Sequence, residues 1–195
     1  MVAKDAGAVP TNVDAPRETG QSSARILGNP QMQGILYEQR SSLSVYGKAL
    51  LAWATHQLGN EEQTSMLRRN LEQFLIVDEA NQTAFLDDES PWWYWYGSNI
   101  EANAFYLKLL AAQEPQGETA PMLVKYLLNN RQHAVYWDST RDTALVVEAF
   151  SDYLRATGEL KPDMTVEVSL GGKRLGQVQF TAENLFDVNN TIEIT

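Results

Sequence analysis

The chain has 195 residues, 44% of them hydrophobic, and a formal net charge of −10. That is enough apolar material for a full core, and the charge has the wrong sign for nucleic acid or an anionic membrane surface, both of which reward Lys and Arg. It contains no cysteine, which removes disulfides, thiolate metal sites and a cysteine nucleophile from its own chemistry.

Residues 1–30 mix Ala, Gly, Pro, Ser and Thr with balanced charge and no apolar period, which predicts a disordered lead-in or linker. This N-terminus lacks the apolar core of a signal peptide, and no apolar run approaches the ~18 residues of a membrane span. If the parent protein is exported, its targeting segment is expected outside this chain.

From Ser41 the spacing of Leu43, Tyr46, Leu50 and Trp53 predicts a helix that stops at Gly59. Asn60 is placed to cap a second, amphipathic helix running to about Val77, with Leu67, Leu71 and Phe74 on one face. A stretch without Lys or Arg follows: between Asp78 and Glu101 there are six acids, Asp78, Glu79, Asp87, Asp88, Glu89 and Glu101. Inside it lies the aromatic run Trp92, Trp93, Tyr94, Trp95 and Tyr96.

The run breaks straight into a helix from Ser98 to about Gln113, apolar nearly all round and therefore packed on several sides. Ser98-Asn99-Ile100-Glu101 is an S-x-x-E capping box, and Ser139-Thr140-Arg141-Asp142 is a close variant. Capping, with the favourable field at a helix N-terminus, accounts for Glu101 and Asp142 without catalysis. Thr119-Ala120-Pro121 starts a shorter amphipathic helix, with proline tolerated in its first turn. A further helix of the buried kind is predicted from Ser139 to Thr157, ended by Gly158 and Pro162.

The chain repeats itself. Trp95-Tyr96-Gly97-Ser98 lies on Tyr136-Trp137-Asp138-Ser139 at an offset of 41, and Lys48-Ala49-Leu50 matches Lys108-Leu109-Leu110 at an offset of 60. Buried and amphipathic helices alternate, the requirement of a ring of helical hairpins with inner helices enclosed by outer ones. An ordinary bundle or a solenoid fits the same period. Beyond Lys161 the period becomes two: Val166, Val168 and Leu170 alternate with polar residues, Gly171-Gly172 supplies a turn, Val178 and Phe180 alternate again, and the terminal TIEIT reads as a third strand. The expected organisation is a lead-in over 1–30, a mainly α part over 31–162 and a small antiparallel β extension over 163–195, with strands that need partners from elsewhere.

Three groups of residues are candidates for function. Trp92, Trp93, Tyr94, Trp95 and Tyr96, with Tyr136 and Trp137, have the composition of a binding hot spot, or else pack together and plug one end of the helical part; the packing reading is favoured. Asp87, Asp88 and Glu89 beside those rings invite a glycosidase reading, which needs two carboxylates at about 5–5.5 or 6.5–9.5 Å; consecutive acids in a loop are more simply a solvated tip. They lack the D-x-D-x-D-G framework of a calcium loop. His56 and His133 have no metal-ligand spacing, so helix-end capping or exposure is expected for both. Asn81-Gln82-Thr83 and Asn189-Asn190-Thr191 are glycosylation sequons by pattern alone.

Three helix starts also carry a resemblance. Tyr46-Gly47-Lys48-Ala49-Leu50-Leu51-Ala52, Ile100-Glu101-Ala102-Asn103-Ala104 and Trp137-Asp138-Ser139-Thr140-Arg141-Asp142-Thr143-Ala144 are similar to recurring helix starts of the thioester domain of the alpha-2-macroglobulin and complement family, in its bacterial branch. The last is the most specific. Residues from about Tyr37 resemble the C-terminal part of that domain, and the tail from Thr165, with Gly171-Gly172-Lys173 and Asn189-Asn190-Thr191-Ile192, resembles more weakly the start of the β domain that follows.

The resemblance implies a partial α/α toroid inside a large protease trap, a bacterial alpha-2-macroglobulin-like inhibitor of the periplasm or cell surface. Its implied partners are proteases, met through the full-length protein, and neighbouring domains of the same chain. Many members link covalently to the protease through a thioester built from a Cys-Gly-Glu-Gln type motif. This sequence holds no such motif, so no catalytic residue, metal or cofactor is carried over and the chain is read as non-catalytic. Rival readings from the residues are an α/α-toroid carbohydrate enzyme with Asp87, Asp88, Glu101 or Asp142 in its cleft, and a helical scaffold for a protein partner.

Overall fold

The computed structural model describes residues 30–87, 98–133, 135–159 and 161–184. The fold is mainly helical with a small antiparallel β part. In chain order the elements are α1 (Pro30–Glu38), α2 (Val45–Gln57), α3 (Glu61–Glu72), β1 (Leu75–Asp78), β2 (Thr83–Leu86), α4 (Asn99–Gln113), α5 (Thr119–Asn129), α6 (Thr140–Thr157), β3 (Asp163–Leu170) and β4 (Lys173–Thr181).

Three of these helices start the same way. Ser44, Ser98 and Ser139 sit in extended backbone, and each hydroxyl accepts the backbone N–H three residues on, from Gly47 at 2.8 Å, Glu101 at 3.0 Å and Asp142 at 3.0 Å. The helix expected from Ser41 therefore begins later. Arg40–Ser42 form one 3-10 turn, and Ser44 takes the cap. Consequently α2 buries Val45, Ala49, Leu51 and Ala52, whereas Leu43, Tyr46 and Leu50 are only partly covered.

The three helices α2, α4 and α6 lie side by side and point the same way. Ascending residues pair across each junction: Tyr46 meets Phe105 and Trp53 meets Lys108, while Glu101 meets Arg141 and Lys108 meets Glu148. Behind this row, α3 packs on α2, and α5 packs on α4 and β2, its Tyr126 ring stacked on Phe85 at 4.7 Å. Helix α4 is the middle of the molecule, buried from Ile100 to Ala111, as its all-round apolar sequence predicts. Helix α6 differs from expectation: it buries Asp142, Val146, Ala149 and Tyr153 and leaves Val147 at 55% exposure, so it is amphipathic.

The helix expected to reach Val77 ends at Glu72. Leu75–Asp78 instead pairs antiparallel with Thr83–Leu86, Leu75 opposite Leu86 and Asp78 opposite Thr83, through a turn in which Gln82 takes φ +53°. Ala84 and Leu86, two apart, both turn into the core at 0% exposure. Strand spacing thus fills the core from β2, while Ile76 and Val77 of β1 stay exposed.

Gly158, at φ +81°, closes α6 as expected. The β3–β4 hairpin turns at Gly171-Gly172, φ +58° and +80°, with a bulge between Val168 and Ser169. All eight residues of β3 are exposed, and no residue of the hairpin joins the core cluster. Residues 1–29 and the terminal TIEIT lie outside the described residues.

Candidate functional site

The row of parallel helices presents one shared face. Tyr46 and Trp53 on α2, Glu101 and Lys108 on α4, and Arg141 and Glu148 on α6 are each seven residues apart, two turns of helix. Because the serine caps are level, these pairs form two polar stations, one at the N-terminal end of the row and one about 10 Å along it.

At the N-terminal station Asp142 is 4% exposed and Glu101 3%. The hydroxyl of Ser98 donates to one Asp142 oxygen, and that of Ser139 to the other. Arg141 reaches from α6 across to Glu101, and the same guanidinium donates to the Tyr46 hydroxyl at 2.9 Å, so one side chain touches all three helices. Burial pushes the Glu101 carboxyl above the usual carboxylate range; the neighbouring Asp142 adds to this and Arg141 opposes it. Burial and then the charge of Glu101 raise the Tyr46 hydroxyl. The capping box is thus half realised. Ser98 caps as expected, but Glu101 is turned sideways to Arg141.

At the second station the Lys108 ammonium, 2% exposed, lies 2.8 Å from Glu148 and 2.6 Å from Asp152, with the Trp53 ring 4.9 Å away on its other side. Arg155 stands 3.6 Å from Asp152. These residues, with Gln57, Ala111, Ala112 and Ala156, line an open cleft of about 380 Å³.

The residues singled out from sequence are only partly brought together. Trp92 to Tyr96, Asp88 and Glu89 lie outside the described residues. Asp87 is half-buried at the end of β2, its N–H donating to the Phe74 carbonyl at 3.0 Å. Tyr136 and Trp137 part company. Tyr136 is 38% exposed in a turn with His133, whereas Trp137 is 3% exposed, its indole N–H on the Leu127 carbonyl at 2.8 Å and its ring edge-on to Phe150. Trp137 is therefore core, not surface. His56 ends α2 with Nδ1 3.5 Å from Glu61, and His133 is exposed. Among the described residues no three His, Asp or Glu side chains are grouped to hold a metal ion, and no helix is long and apolar enough to cross a membrane.

Sequence reasoning missed Tyr46, Arg141, Glu148 and Asp152 as partners. The signal was present in the shared seven-residue spacing, but the offset of 60 between Lys48 and Lys108 hid it. The cap-to-cap offset from Ser44 to Ser98 is 54, which sets Lys48 opposite Ala102. Compared with known proteins, the sequence matches no family model and no curated relative.

Proposed function

We propose that this chain is a non-catalytic wall of an α/α toroid in a bacterial alpha-2-macroglobulin-like protease trap, working at the cell envelope. The observation that carries the proposal is the row of three parallel helices with level serine caps, each of the first two followed by an outer helix packed behind it. A toroid of inner and outer helices needs that order, and an up-and-down bundle, whose neighbours alternate in direction, does not have it. The three capped starts are also the segments whose sequences resemble the thioester domain.

The state of the acids supports the non-catalytic part. Both oxygens of Asp142 are taken by serine hydroxyls, and Glu101 is closed off by Arg141. Such carboxylates hold helix ends together and have no open side toward a sugar. The β3–β4 hairpin, exposed on one apolar face at Met164, Val166, Val168 and Leu170, fits the start of a sheet completed by a neighbouring domain.

The test uses the full-length parent protein. It is incubated with trypsin, and the mixture is assayed on a small peptide ester and on a large protein substrate. A trap leaves ester cleavage largely intact while protein cleavage is lost, and a covalent trap also carries trypsin at high mass on a denaturing gel. Equal loss or equal retention of both activities contradicts the proposal.

A further inference from the structure

We propose that the cleft over Lys108 is a docking pocket for an arginine side chain of a protein partner, an inference that does not depend on the trap reading. The cleft, about 380 Å³, is lined from all three parallel helices, and ligand sites commonly measure roughly 300–1,000 Å³. It is built around a buried charge. The three protons of the Lys108 ammonium are provided for by Glu148, Asp152 and the face of the Trp53 ring. Lys108 therefore has no proton left for a ligand, while its one positive charge faces two carboxylates. The pocket is short of one cation.

The unused acceptors are on the acids. Among the described residues Glu148 Oε2 has no hydrogen-bond donor, and Asp152 Oδ1 has only the Arg155 guanidinium, 3.6 Å away and too far for a hydrogen bond. Arg155, 62% exposed, is a loose internal occupant. It shows which group these oxygens take, and a guanidinium from outside suits them because its planar fork reaches two oxygens at once. Ala111, Ala112 and Ala156 leave room beside Trp53 for an aliphatic stem. An anion would find Arg155 with two carboxylates against it. The cleft is open, which suits a side chain carried on a polypeptide, since a free small molecule is enclosed over most of its surface in a site of its own. The net charge of −10 favours encounter with a basic partner.

The full chain is titrated with N-acetyl-arginine amide and with its neutral isostere N-acetyl-citrulline amide, following the Trp53 indole N–H and the amides of Ala111, Ala112 and Ala156 by NMR. The pocket predicts saturable shifts with the arginine compound, bound at least about tenfold tighter than citrulline. Glu148→Gln is expected to weaken it about threefold or more, and Arg155→Ala to tighten it by removing the internal competitor. Equal binding of the two compounds or no saturable shift with the arginine compound overturns the proposal, as does a Glu148→Gln change without effect or an Arg155→Ala change that weakens binding. Tighter binding of N-acetyl-aspartate amide at the same residues, the mark of an anion site, or of free arginine, the mark of a small-molecule site, also overturns it. The wild-type comparison decides alone if a variant fails to fold.

Discussion

The side-chain amide of Asn103 grips the backbone of Leu86 at both of its polar atoms. Its oxygen accepts from the Leu86 N–H at 2.7 Å, and its nitrogen donates to the Leu86 carbonyl at 3.2 Å and to the Asn99 carbonyl at 2.7 Å. Asn103 is fully buried, so it joins the end of β2 to the first turns of α4 where water cannot compete. Asn103→Ala leaves both Leu86 groups without these partners in the core. The expected cost is about 2–3 kcal/mol, read from the shift in urea midpoint at unchanged slope. Asn103→Asp, which sets a buried carboxylate oxygen against the Leu86 and Asn99 carbonyls, is expected to cost at least as much at neutral pH.

Lys108 serves as a buried tie between α4 and α6, and its two carboxylate partners differ in exposure. Glu148 is 44% exposed and Asp152 28%. Glu148→Gln is accordingly expected to cost less than about 1 kcal/mol after solvent screening, and Asp152→Asn more than Glu148→Gln. A double-mutant cycle of each with Lys108→Met checks the order. Equal coupling energies contradict it.

Tyr106 is 1% exposed on the inner stretch of α4. Burial first, and the charge of Glu72 next, push its hydroxyl up to about 12, against the pull of Arg68. The folded form keeps its proton where the unfolded chain, at about 10, releases it. The resulting stability is full below pH 10 and is lost as the pH rises toward 12. The two-unit difference amounts to about 3 kcal/mol. Ultraviolet titration checks this: Tyr106→Phe removes a phenol that ionises late, and its stability falls less between pH 10 and 12 than that of the wild type.

The hairpin offers a contrast, because its residues contribute nothing to the core cluster. Gly171 and Gly172 both hold positive φ, where a Cβ costs roughly 1 kcal/mol. Gly172→Ala is expected to raise amide exchange along β3 and β4 and to leave the helical melting temperature unchanged. A fall in that temperature shows that the hairpin is bound to the helices.

Much of this was legible in the sequence, for physical reasons. Ser98, Ser139, Asn60, Gly59 and Gly158 act through local backbone geometry, so they mark helix ends wherever the chain goes. The all-round apolar run from Ala102 to Ala112 announced a central helix, and the period-two run from Val166 announced strands. Three things were not legible. The β1–β2 hairpin follows from core positions Ala84 and Leu86, and from the distant Asn103 that holds Leu86. The burial of Trp137 beside exposed Tyr136 depends on the Leu127 carbonyl being free at the end of α5 to take the indole N–H. The two stations depend on three helices being parallel and level, and periodicity within one helix carries no direction relative to another.

That shared direction is the claim on which the toroid reading stands, and the absence of cysteine makes it directly measurable. Spin labels are placed on cysteines introduced pairwise at the exposed positions Asn99 and Thr140, and at Asn99 and Arg155, in the full chain. Electron–electron distances are then read for each pair. Parallel, level helices predict the shorter distance for Asn99 with Thr140, and one longer by roughly 15–20 Å for Asn99 with Arg155, fifteen residues along α6 at 1.5 Å each. The reverse order would mean that α4 and α6 are antiparallel and would contradict the account.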